Sequence, residues 1–189
     1  GVYFARKFIL AVGVFFLLLI LPAVNAEAKE VSLVKGDAIR YMGYSTHYYY
    51  VDGNLAFCLE PDMKSPGNDA YSASELDPKS HLSKAMYYMY GGPGYEQYIK
   101  SSLTGGWGED ANAYCLTHCV LSYIYDGCDQ NSAAFKGLNA DIASAVVMYA
   151  DYVKNLPDIP DAELAFSENG LTAYYDRDRN VRGPKVFVL

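Results

Sequence analysis

Cysteine and histidine are the side chains of this 189-residue chain best equipped to act as nucleophile, metal ligand or proton carrier, and there are four of one and three of the other. Cys58 stands in Phe57-Cys58-Leu59-Glu60-Pro61, at the end of a strand-like run and just before a loop. A thiolate is a strong nucleophile and an imidazole can take its proton, so Cys58 with His118, 60 positions later, outlines a Cys/His hydrolase. Enzymes of that kind usually hold the cysteine at a helix N-terminus, where the dipole lowers its pKa. A strand position lacks that help, and a buried, inert thiol is the plain alternative.

The other three cysteines lie close together. Cys115 and Cys119 are four apart on a helical stretch, where Cβ atoms sit about 6 Å from one another, whereas a disulfide needs about 4 Å. A bridge from Cys128 to one of the two fits better, although four cysteines allow three pairings. Cys115, His118 and Cys119 lack a fourth ligand at a set spacing, so no metal site is expected. His47 and His81 read as ordinary structural histidines.

These residues need elements to hold them. From Glu30 to Phe57 the pattern is strand-like, with Val31 and Leu33, then Ile39 to Met42, then Thr46 to Val51, rich in β-branched and aromatic residues. Asp52-Gly53-Asn54 is a hairpin turn, since Gly and Asn tolerate positive φ, and Leu55 to Leu59 returns as a strand until Pro61, which cannot donate to a ladder. Lys64 to Ser80, with Pro66, Gly67 and Pro78, reads as an irregular excursion. Ser80 caps a helix over His81 to Tyr90 and Asp110 caps a second over Ala111 to Tyr125. A third runs from Asp141 to Asn155 on an apolar face of Ile142, Val146, Tyr149 and Val153. Strand-like pieces return at Glu163 to Phe166, Leu171 to Tyr175 and Lys185 to Leu189. Strands, a helical middle and strands again predict an α+β fold: a sandwich- or barrel-like β-framework with an inserted helical subdomain.

Composition excludes several functions. With 15 basic against 22 acidic side chains and a net charge of −7, there is no basic face for a nucleic-acid partner. No Gly-rich phosphate loop, G-x-S-x-G or H-E-x-x-H occurs, and no cofactor is implied. The 19 tyrosines serve first as strand and core residues. Arg6 and Lys7, the apolar run Phe8 to Val24 and the small residues before Glu27 form the three parts of a secretory signal peptide, with cleavage expected after Ala26. A membrane anchor would want about 20 apolar residues. Residues 1–26 are thus expected to be removed and 27–189 to form one exported domain, which meets the membrane only during export. The opening Gly1 and the strand-like Lys185 to Leu189 suggest a longer protein on both sides.

Tyr50-Val51-Asp52-Gly53-Asn54-Leu55-Ala56-Phe57-Cys58-Leu59-Glu60-Pro61, followed by Thr117-His118-Cys119-Val120-Leu121-Ser122-Tyr123, resembles the thioester domains of Gram-positive surface adhesins. That family has an aromatic-Cys-apolar motif on an early strand, a helical Thr-Gln-x-Ala-apolar-Trp motif, and a Gln on a late strand that closes an internal thioester with the Cys. The resemblance implies that Cys58 is the thioester cysteine and that Thr117 and His118 support it. His118 stands where the family has Gln, Val120 where it has Ala and Ser122 where it has Trp. Gln97 and Gln130, the only two glutamines, are not on a late strand. The partner Gln therefore lies past Leu189, or the crosslink is lost. A thioester shielded from water survives until an amine displaces the sulfur. The implied protein is a self-reacting surface adhesin rather than a turnover enzyme, and its partner is a lysine amine of a host or other surface protein. A non-covalent protein or glycan binder on the same fold is the alternative, and a secreted Cys58/His118 hydrolase a further one.

Overall fold

The computed structural model describes residues 29–159, apart from Met63, Leu76, Pro78, 128–130 and 133–134, together with residues 172–174 and 186–188. Cys128, the segment 1–26 and the strand expected at Glu163 to Phe166 lie outside the described residues.

Four strands lead. β1 (Lys29–Tyr41) and β2 (Tyr44–Val51) form a hairpin through Met42 and Gly43, both at positive φ of 46° and 85°. Glycine is required at 43, because a Cβ there would collide with the Gly137 carbonyl of the segment leading into the last helix. That segment is tied to the same turn by the Asn139 N–H, which donates to the Met42 carbonyl at 3.0 Å. β3 (Asn54–Cys58) returns through the expected turn at Asp52 and Gly53, whose φ values are 48° and 81°. β1 runs through Gly36 with its register shifted between Lys35 and Ala38.

β4 (Asp69–Glu75) pairs antiparallel with β1. This corrects the irregular excursion read at Lys64 to Ser80. Its Ser, Ala, Asp and Glu residues have little strand preference, so pairing on both flanks makes the strand rather than local propensity. β5 (Thr172–Tyr174) and β6 (Val186–Val188) complete the closed order β1-β2-β3-β6-β5-β4.

All helices among the described residues fall between β4 and β5 in the chain. α1 (His81–Tyr88) starts at Ser80, whose hydroxyl accepts the Ser83 N–H, and stops two residues short of the expected Tyr90. α2 (Tyr95–Tyr98) is a single turn that the sequence reading passed over. α3 (Asp110–Asp126) is capped by the backbone of Glu109 rather than by Asp110, and ends at Gly127, φ 69°. α4 (Ala140–Lys154) is capped by the Asn139 side chain on the Asp141 N–H. Every residue of α3 from Ala113 to Ser122 is buried, as expected of a helix covered on all sides. It lies between the β1-β2-β3 sheet and helices α1 and α4. The fold is mixed α+β. No helix among the described residues is long and apolar enough to cross a membrane.

Alternation along the strands divides the interior in two. Tyr44 and Phe57 face the helices in the larger core, while Val31, Leu33, Tyr49, Val51, Ala56 and Cys58 form a smaller one on the opposite face of the sheet.

Candidate functional site

The β2–β3 hairpin prepares the site. Its turn pairs Val51 with Asn54, Tyr50 with Leu55 and Tyr49 with Ala56; carried two residues further, the same register sets His47 opposite Cys58. The backbone ladder stops short of that pair because α3 enters it. The Tyr114 hydroxyl lies 2.9 Å from the carbonyl oxygens of both His47 and Ala56. One turn along, His118 Nε2 accepts the backbone N–H of Cys58 at 3.2 Å. Another turn along, the Ser122 hydroxyl sits 2.9 Å from the His118 carbonyl and 3.4 Å from that of Cys58. Positions i, i+4 and i+8 share a helix face, so this stripe of α3 does for Cys58 what a neighbouring strand does elsewhere: it satisfies buried backbone groups.

The contacts fix the tautomer of His118. The Cys58 N–H can only donate, so Nε2 carries the lone pair, and Thr46 Oγ1, 3.1 Å away, must donate to it as well. The proton is then on Nδ1, which donates to the Tyr44 hydroxyl oxygen at 2.6 Å. Both ring nitrogens are engaged. Complete burial lowers the His118 pKa to about 3, so the ring is neutral at physiological pH.

Cys58 is 5% exposed and lines a cavity of about 220 Å³. Ser45, Thr46, His47, Tyr49 and Ser65 bring polar groups to the same space. Burial pushes the Cys58 thiol up to about 11, against a smaller opposing effect of a hydrogen bond from the Glu60 backbone. Tyr49 is raised to about 12, again mainly by burial, with a Ser65 hydrogen bond acting the other way.

Cys58 and His118 are brought together, but through the Cys58 backbone. A Cys/His nucleophile needs a thiolate and an imidazolium. Here the thiol is raised, the imidazole is lowered and its lone pair is already committed, so the pairing expected of a hydrolase is opposed on every count. Thr117 is also buried, yet it faces elsewhere: its hydroxyl accepts the Tyr90 N–H at 3.1 Å and holds the chain beyond α1. Cys115 and Cys119 are not bridged to one another, and burial raises the Cys115 thiol to about 12. His81 Nε2 meets the Ala150 carbonyl at 2.8 Å, a structural contact.

Tyr114, Ser122, Tyr44, Thr46 and His47 escaped the sequence reading. A polar stripe at 114, 118 and 122 on an otherwise apolar helix was the available signal for the first two. Counting outward from the turn at Asp52-Gly53 would have set His47 against Cys58.

The sequence model of a family described as the thioester domain matches residues 30–160. The chain belongs to the thioester domain family. The matched span of this thioester domain takes in Cys58, the α3 stripe and every residue lining the cavity. Among solved structures the chain is similar to the pilus-presented adhesin Cpa, at 14% identity and a TM-score of 0.53 over 84% of this chain and 62% of that one. At that identity the likeness is one of fold, and this chain spans less than two thirds of the solved one. The N-terminal domain of the same Streptococcus pyogenes pilus tip adhesin aligns over 88% of this chain and 95% of its own, with 13% identity and a TM-score of 0.49. The N-terminal thioester domain of the fibronectin-binding protein SfbI from Streptococcus pyogenes aligns over the same two shares, with 10% identity and a TM-score of 0.47. No curated protein matches the sequence.

Proposed function

We propose that this thioester domain is the binding part of a Gram-positive surface adhesin, and that Cys58 carries an internal thioester through which it attaches to a lysine amine of a host or other surface protein. The observation that carries the reading is a buried cysteine bordering a cavity with polar groups, inside the span matched by the thioester domain family. Burial suits both states of such a bond: water is kept from the acyl carbon, and once the amine has displaced it the sulfur ends as a thiol. Thr117 and His118 act as support, one for the chain beyond α1 and the other for the Cys58 backbone. The domain reacts once and remains joined to its product, so it is not a turnover enzyme.

The acyl partner is a Gln from beyond Leu189. Val186 is the residue of β6 across from Cys58, and later residues of β6 pair toward Ala56 and away from it. The wider reading is a signal peptide at 1–26, an exported domain over 27–189 and a barrel-like framework with the helices as its insertion. The surface role is supported by the pilus-presented adhesin Cpa, whose fold this chain resembles.

The test is the intact mass of a chain extended past Leu189, before and after methylamine. A mass one ammonia below calculation, rising by one methylamine and unchanged by methylamine in Cys58→Ala, is the expected result. A mass equal to the calculated polypeptide, with Cys58 open to alkylation, would assign the domain to non-covalent binding.

A further inference from the structure

Two histidines reach the Cys58 cavity, and their hydrogen bonds leave them in opposite conditions. His118 has no nitrogen to spare. His47 has one. Its Nδ1 lies 3.0 Å from the Gly36 carbonyl, a group that can only accept, so Nδ1 bears a proton and the neutral ring has its lone pair on Nε2. No described residue donates to that Nε2. The ring is half-buried, lines the same cavity as Cys58, and stands at the cross-strand position opposite it when the β2–β3 register is continued.

Tyr114 and His118 part the two strands at this point, and His47 and Cys58 both line the one cavity, where an amine nitrogen can enter between a sulfur-bound acyl carbon and the imidazole. The other groups around the cavity are poorly suited to take a proton. Tyr49 is a neutral acid, the Cys58 sulfur is itself acylated, Ser45, Thr46 and Ser65 are alcohols, and the His118 lone pair is filled.

We propose that His47 is the proton acceptor for amine attack on the Cys58 thioester. The inference rests on the thioester reading of Cys58. The amine enters as the free base and its nitrogen bonds to the acyl carbon. His47 Nε2 takes a proton from that nitrogen, the carbon–sulfur bond breaks with its electron pair going to Sγ, and His47 returns the proton to the sulfur. An amide, a thiol and a neutral imidazole result, with no proton gained or lost overall. Imidazole is suited to this double transfer near neutral pH. His118 meanwhile is a positioning residue, holding the Cys58 backbone and taking no proton.

The experiment is the rate of methylamine uptake at pH 7, read by intact mass, for the chain extended past Leu189 and its His47→Gln variant. A Gln side chain can still donate to Gly36 but has no basic nitrogen. The variant is expected to keep the resting mass one ammonia below calculation, which shows that the site is assembled. Its uptake should slow about 100-fold, the lower end of what general base catalysis contributes, and added imidazole should restore part of the rate. Slowing of less than tenfold, or no response to imidazole, overturns the role of His47 and leaves the thioester reading intact. If His47→Gln does not form the thioester, His47→Asn is measured in the same way, and failure of both assigns His47 to assembly of the site and overturns the proposal. A wild-type resting mass equal to the calculated polypeptide overturns the thioester reading and this proposal together.

Discussion

Phe57 and Cys58 are consecutive on β3 and face opposite ways, and their surroundings differ in kind. Phe57 is fully buried against the helices, stacked on Tyr114 with ring centroids 4.7 Å apart, in the larger core. Cys58 shares a small cluster with five other residues and borders a cavity. One face of the strand is packed for stability and the other is left open for chemistry. α3 serves both, because Tyr114 stacks on Phe57 while the hydroxyl of the same ring holds open the end of the ladder beside Cys58.

The comparison can be broken by substitution. Phe57→Ala should be the most damaging change, at about 3–5 kcal/mol, because a large ring is removed from a filled core; urea unfolding measures it, and a loss under about 1 kcal/mol would mean the helix side is not the stabilising one. His118→Leu comes next, at about 2–4 kcal/mol, since the Cys58 N–H and the hydroxyls of Thr46 and Tyr44 lose a buried partner together. Tyr114→Phe keeps the stack and deletes only the hydroxyl, so about 1–2 kcal/mol is expected. Cys58→Ala should cost least, about 1 kcal/mol or less for one sulfur beside existing space, although it removes all amine uptake. If Cys58→Ala proved as damaging as Phe57→Ala, the division between the two faces would fail.

Acid sharpens the same contrast. The folded-state pKa of His118 is depressed to about 3 from 6.5, so between these values the unfolded chain binds a proton that the folded chain refuses. The contribution of neutral His118 is complete above about pH 6.5 and declines as pH falls toward 3. His118→Gln can accept from Cys58 and donate to Tyr44 without titrating. Its stability should fall less than that of the wild type between pH 6.5 and 4; parallel curves would show that His118 is not held neutral by burial.

Much of this was legible in the residues. The hairpin turn at Asp52-Gly53 and the Ser80 cap each rest on local backbone chemistry, and each appears where the sequence puts it. β4 was not legible, because Asp69 to Glu75 becomes a strand only by lying beside β1 and β5. Cys58 stood out through its motif. The hydrogen-bond roles of His118 and His47 did not, since they depend on which donor or acceptor faces each nitrogen, and Gly36, Thr46 and Tyr44 reach those nitrogens only in the folded chain.

The most direct test of the central claim is peptide mapping of a chain extended past Leu189, digested at low pH so that an acyl–sulfur bond survives. The account predicts a Cys58 peptide joined to a Gln-containing peptide from beyond β6, lighter than their sum by one ammonia. Recovery of the Cys58 peptide alone, fully alkylated and at its calculated mass, would contradict it.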